Sequence, residues 1–135
     1  MDIQDRRDVS QFNSYHIHLC ESDEASEVMK FINDHWKTDH ILSWNKELFD
    51  WMYYNNRSDN YNFALARLDD TDEIIGIQGF IPTSIYDHNL TEDSVTWFTI
   101  LKARDDVEPS GFGLQLINYV ADYDSPSATG AIGIN

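Results

Sequence analysis

The sequence predicts an α+β fold: helices covering a strongly twisted, mixed but mostly antiparallel sheet, in the order β-α-α-β-β-β-α-β. Three observations carry that reading. Residues 61–68, 73–81 and 95–101 are consecutive strand-like runs joined by polar connections, the pattern of an antiparallel meander. An amphipathic helical run beginning near Gly113 separates the last of them from residues 129–134, so a crossover helix returns the final strand parallel to its predecessor. The chain has 135 residues, 41% of them hydrophobic, which suits one domain with a real core.

Taken in order, residues 1–14 are polar and charged and read as an N-terminal arm, with the folded domain spanning 15–135. YHIHLC at 15–20 alternates as a first strand, with Ile17 and Cys20 or Tyr15 and Leu19 on the buried sides. Ser22 or Asp23 then caps a helix whose Ala25, Val28, Met29, Ile32 and Trp36 recur at three- and four-residue steps. A second helix over 46–55, capped by Asn45, groups Leu48, Trp51 and Met52. Trp36, Trp44 and Trp51 read as helix-facing core. Asp69, Asp70, Thr71 and Asp72 form the hairpin turn, and Pro82 ends the strand that follows. Gly76 and Gly79 within that strand mark a bulge or a close approach. The loop of about a dozen residues after Pro82 carries His88, Glu92 and Asp93, and its length suits a functional segment.

Composition excludes several classes. A formal charge of −15, from 24 acids against nine Lys and Arg, disfavours nucleic acid and anionic membranes as partners. It also opposes an anionic ligand unless the local field differs, and Lys102 and Arg104 stand where they would supply such a patch. Cys20 is the only cysteine, so no intrachain disulfide forms, and it reads as a small core residue. No apolar run of membrane length and no basic-then-apolar leader is present, so a soluble cytoplasmic protein is expected. His16 and His18 share a strand face, but no third ligand accompanies them, so no metal is expected.

The segment from 95 to 120 organises the rest: an apolar strand, a polar turn, then a helix opened by Pro109-Ser110-Gly111-Phe112-Gly113. Glycines let backbone approach a ligand closely, and the unpaired N–H groups of a helix's first turn favour phosphate. No Gly-Lys-Ser/Thr follows, which excludes the Walker loop, and a third glycine is lacking for the dinucleotide fingerprint. The two glycines also suit a plain turn before a helix.

Strand, Gly-x-Gly turn and helix together resemble the pyrophosphate loop of the GNAT acyltransferase superfamily, whose pattern is Gln/Arg-x-x-Gly-x-Gly/Ala. Here Glu108 stands at the first position, and Gly111 and Gly113 match. The resemblance covers residues 15–135. Phe31-Ile-Asn-Asp-His-Trp-Lys37, Leu48-Phe-Asp-Trp51 and the terminal Gly133-Ile-Asn135 are similar to a GNAT branch of surface-polysaccharide and amino-sugar biosynthesis. The family continues after its fifth strand with a helix and usually two more strands, which the sequence up to Asn135 does not include. The domain is then a truncated portion, is completed by a partner copy, or does not catalyse.

The resemblance implies acetyl transfer from acetyl-CoA to an amine or hydroxyl of a small molecule, with an amino sugar as the acceptor that the finer match suggests. The alternative is a non-catalytic GNAT-like ligand-binding or assembly module. It assigns Phe98, Thr99 and Ile100 to the acetyl and pantetheine arm, and Ser110, Gly111, Phe112, Gly113 and Leu114 to the pyrophosphate. Asn135 would lie near the thioester, and Glu92 or His88 would relay the proton from the acceptor. His35, Trp36 and Gln78 are expected to meet the acceptor, with His40 flanking Trp36. An unpaired edge on the last strand predicts a homo-oligomer, most simply a dimer.

Overall fold

The structure, a computed structural model, describes residues 14–85, 95–106, 112–124 and 128–131. The N-terminal arm and the loop carrying His88, Glu92 and Asp93 lie outside them, as do Glu108, Ser110, Gly111 and Asn135. Among the described residues, six strands form one sheet: β1 (Tyr15–Glu21), β2 (Tyr54–Asn55), β3 (Asn60–Leu68), β4 (Ile74–Pro82), β5 (Val95–Ala103) and β6 (Ala128–Ala131). Their order is β1-β3-β4-β5-β6, with β2 beside the start of β3. Every pairing is antiparallel except β5 with β6, which α3 (Phe112–Asp124) joins as the expected crossover. The predicted order therefore holds, with β2 added.

β1 leads into a 3₁₀ turn (Ser22–Glu24), α1 (Ala25–Phe31) and a π-helical turn (Ile32–Trp36). The cap is Glu21 rather than Ser22 or Asp23, because the Glu24 carboxylate reaches back to accept from the Glu21 N–H at 2.8 Å. α2 (Lys46–Tyr53) begins as predicted, with the Asn45 side chain accepting from the Leu48 N–H at 3.0 Å. It ends two residues before the expected Asn55, because Tyr54 and Asn55 turn extended and pair with Tyr61 and Asn60.

Helices cover both faces, and strand alternation divides the interior into two cores. On one face α1 and α2 bury Val28, Phe31, Ile32, Phe49 and Tyr53 against Phe63, Leu65, Ile77 and Ile100. On the other, α3 lays Leu116 and Val120 over Ala64, Ala66, Phe80 and Phe98. β1 follows the same alternation: Tyr15, Ile17 and Leu19 face α3, while Cys20 joins the α1/α2 core.

The tryptophans correct the sequence reading. Trp51 and Trp44 are 68% and 63% exposed. α2 buries its Phe49/Tyr53 ridge, one turn apart, and Leu48 and Met52 only flank it. That choice rotates Trp51 into solvent. Trp36 does pack at the edge of the core.

Candidate functional site

β5 is the centre of the site. Its register against β4 slips between Gln78↔Leu101 and Phe80↔Phe98, so Gly79 faces two residues, Thr99 and Ile100. This is a β-bulge, and it re-aims the strand. Its effect on the side chains is visible in the packing. Ile100 joins the α1/α2 core and Thr99 bonds Tyr53 of α2, whereas Phe98, Leu101 and Ala103 face α3. Beyond the bulge the described pairing with β6 stops, at Phe98↔Ala131, while β5 runs on to Ala103.

Three groups fix the bulge. A Cβ on Gly79 would stand 2.6 Å from Thr99 Oγ1 and 2.9 Å from a Phe63 ring carbon, so only glycine lets the strands approach there. The Tyr53 and Thr99 hydroxyls are hydrogen bonded at 2.8 Å in the α1/α2 core. Gln78, fully buried, donates from Nε2 to the Gly79 carbonyl at 2.8 Å and to the Ile100 carbonyl at 3.3 Å. Among the described residues, its Oε1 has no hydrogen-bond donor. Gln78 thus satisfies carbonyls that the slipped ladder leaves over. An acceptor-binding role was expected of it; the structure places its amide inside the sheet instead.

α3 begins at Phe112, and Gly113 is its second residue, so the N–H groups of Phe112, Gly113 and Leu114 are among those a helix leaves unpaired. Gly113 differs from Gly79. Among the described residues, a Cβ there would meet only Leu101, at an ordinary 3.8 Å. Packing does not require glycine at 113, although glycine costs helix stability. A plain turn before the helix and close approach of a ligand to the backbone are both compatible with it. Leu114 is 60% exposed beside it.

The charges at this end are compensated. Lys102 pairs with Asp105 at 2.8 Å, and Arg104 with Asp106 at 2.6 Å and Glu73 at 3.0 Å. These hydrogen bonds raise the Arg104 pKa and hold the Asp105 and Asp106 carboxyls below their ordinary range. The free basic patch expected from sequence is not formed among the described residues.

His35 and Trp36 lie in the π-helical turn on the α1/α2 side. The His35 ring packs on Phe31, at 4.7 Å between centroids, and helps to line a cavity of about 320 Å³ with Lys30, Glu73 and Arg104. Burial first, then the Arg104 charge, lowers the His35 pKa. Trp36 contacts the His40 ring at 4.9 Å, and Lys37 Nζ lies over its ring at 4.8 Å. The structure therefore pairs Trp36 with His40, and sets His35 against Phe31 and the cavity beside Arg104. It sets Gln78 apart from them, inside the sheet.

Sequence reasoning missed two residues beside the bulge. Tyr53 was hidden because the stripe chosen for α2 ran through Trp51. Trp97, opposite Ile81 and Gly130, remains 37% exposed although it lies on an interior strand. Its alternation with Phe98 was the available signal. His16 Nδ1 lies 2.5 Å from Asp69 and His18 lies 3.4 Å from Glu24, and among the described residues no group of three or more His, Cys, Asp or Glu side chains could hold a metal ion. No helix among those residues is long and apolar enough to cross a membrane.

No family model matches the sequence, and no curated protein matches it. Solved structures do. An aminoglycoside acetyltransferase from an uncultured soil metagenomic sample, in complex with sisomicin, superposes with a TM-score of 0.64 and 13% identity over 90% of this chain and 78% of its own. Aminoglycoside N-acetyltransferase AAC(6')-Iy, in complex with CoA, gives 0.62 and 12% over 88% and 76%. The ribosomal-protein-alanine N-acetyltransferase of Brucella melitensis biovar Abortus 2308 gives 0.60 and 15% over 90% and 81%. The chain spans only 34% of a putative acetyltransferase from Pyrococcus horikoshii. The protein has the GNAT acetyltransferase fold.

Proposed function

We propose that this domain transfers an acyl group, acetyl in the simplest case, from an acyl-CoA thioester to an amine or hydroxyl of a small molecule. The bulge at Thr99 and Ile100 carries this reading, because it adjoins a helix start whose second residue is a glycine that packing does not demand. Phe98, Thr99 and Ile100 offer backbone groups along β5 for the pantetheine arm and thioester. The N–H groups of Phe112, Gly113 and Leu114, with Ser110 and Gly111, receive the pyrophosphate.

In the reaction the acceptor's lone pair attacks the thioester carbonyl, an oxyanion forms, and the CoA thiolate leaves as the acceptor gives up a proton. Backbone N–H groups at the bulge stabilise the oxyanion, and positioning supplies most of the rate. His35 and Trp36 are assigned to the acceptor side. Gln78 becomes a positioning residue that holds the bulge. Glu92, His88 and Asn135 keep the proton-relay and thioester roles implied by resemblance. Self-association through the last strand and a cytoplasmic location complete the proposal.

The acceptors of the superposed enzymes are aminoglycosides and a ribosomal-protein alanine, so amines are the first class to test. The compensated state of Lys102 and Arg104 favours the second reading, a non-catalytic ligand-binding or assembly module. Thiol release from acetyl-CoA, followed with an amine panel that includes amino sugars and aminoglycosides, separates the two. Acceptor-dependent release supports the enzyme. Acetyl-CoA binding without release from any acceptor supports the module.

A further inference from the structure

A second hollow, of about 390 Å³, opens on the outer side of α1, lined by Ser26, Met29, Lys30, Asn33, Ser43 and Trp44. Ser26, Lys30 and Asn33 share one ridge of the helix at steps of four and three, and Trp44 stands across from them on the connection to α2. Trp44 is 63% exposed. Its indole N–H nevertheless donates to the Asp39 carbonyl at 3.3 Å, which restrains the ring.

The connection behind it is tied at several points. The Asn33 side chain accepts from the Asp39 N–H at 2.8 Å, and the Ser43 hydroxyl donates to the His40 carbonyl at 2.6 Å. The Leu42 N–H donates to His40 Nδ1 at 3.1 Å, and Asp39 holds a positive φ of 60°. A non-glycine residue in that conformation is kept there by its surroundings. An apolar ring is thus presented to solvent already ordered, so a ligand stacking on it loses little further freedom.

The polar groups around the ring define what it takes. Lys30 is paired with Asp34 at 2.5 Å, so the hollow has no uncompensated charge although the chain carries −15. Hydrogen-bonding capacity remains. Lys30 has two further N–H groups, Asn33 has one beyond its bond to Asp34, and Ser43 retains its acceptor side. Ser26 adds an exposed hydroxyl. A flat apolar face bordered by mixed, neutral donors and acceptors matches a ring with an apolar C–H face and a rim of hydroxyls.

We propose that this hollow is a binding site for a neutral saccharide ring, stacked on Trp44 and hydrogen bonded by Ser26, Lys30, Asn33 and Ser43. It lies on the outer side of α1, apart from the β5 bulge, and its occupancy does not depend on acyl transfer. The amide and indole N–H resonances of the whole ¹⁵N-labelled chain, titrated with glucose, galactose, mannose, N-acetylglucosamine, cellobiose and maltose, test it. With at least one sugar, the Trp44 indole and the amides of Ser26, Lys30, Asn33 and Ser43 should shift saturably, with a millimolar dissociation constant. Trp44→Ala should abolish those shifts while leaving the remaining spectrum folded, and Ser26→Ala should weaken binding about threefold. The proposal is overturned if no sugar moves the Trp44 indole, if glycerol at equal concentration moves it as far, or if the shifts survive in Trp44→Ala. A Trp44 signal that follows protein concentration and ignores sugars also overturns it, and assigns the face to self-association.

Discussion

The two faces of the sheet are built on opposite plans. The α1/α2 face is dense and largely aromatic: Phe49 stacks on Phe63 with 2° between the rings, and Tyr53 meets Phe63 at 4.4 Å. The charge buried there, Arg67 at 3% exposure, is surrounded by Glu24 and Glu27 at 2.7 and 2.8 Å. The α3 face sets two small residues of β3, Ala64 and Ala66, among Phe80, Phe98, Leu116 and Val120, and Gln78 lies across from Ala64 with an amide oxygen that has no partner among the described residues. The first face fixes the bulge from behind. The second carries the start of α3, where a methyl on Gly113 would meet only Leu101 among the described residues and where the proposed donor would lie. Rigid support and ligand access are divided between the two sides of the same strands.

The largest break in this division should come from Arg67→Ala. It removes the buried cation and strands Glu24, so about 3–5 kcal/mol of stability should disappear, read from urea unfolding. Gly79→Ala should follow at about 1–3 kcal/mol, since a methyl there must displace Thr99 or Phe63. A cost under a few tenths of a kcal/mol would mean that the bulge is not held tightly. Tyr53→Phe keeps the ring packing and removes the hydroxyl that bonds Thr99, which predicts a loss near 1 kcal/mol. If the bulge positions the thioester, the same variant should lower kcat more than it raises KM.

The smallest effect is on pH. Burial lowers the His35 and His40 pKa values, so the unfolded chain binds more protons than the folded one near the ordinary histidine range. Stability should therefore be fully present above that range and fall as acid is added. The carboxyls of Asp105 and Asp106, held low mainly by hydrogen bonds from Lys102 and Arg104, lose their contribution at lower pH still. Unfolding midpoints that rise on acidification from neutrality would contradict these assignments.

How much of this was legible in the sequence differs by element. The strand order, the Asn45 cap and the crossover helix were readable, because periodicity and capping are local signals. The exposed Trp51 was not, because two overlapping stripes compete on α2 and the buried one is chosen by packing against β3. Gly79 was readable as a close approach, but the partner that demands it, Thr99, is twenty residues away. Lys102 and Arg104 were readable as cations and not as spent ones, since Glu73 reaches Arg104 only across the folded sheet. At the site, the sequence marked the Gly-x-Gly turn, while Tyr53, Trp97 and the inward Gln78 depend on register.

The central claim is that the start of α3 holds an acyl-CoA pyrophosphate, and Gly113→Glu, which sets a carboxylate where the phosphates would lie, tests it most directly. Glutamate is a better helix former than glycine and an acid suits a helix's first turn, so the variant should still fold and unfold cooperatively. Thermal unfolding of both proteins with and without millimolar acetyl-CoA is the measurement. A ligand at about 100 times its dissociation constant adds roughly 2.7 kcal/mol, a rise of several degrees. The account predicts that rise in the unaltered chain and its loss in Gly113→Glu. No rise in the unaltered chain, or an equal rise in both, would contradict it.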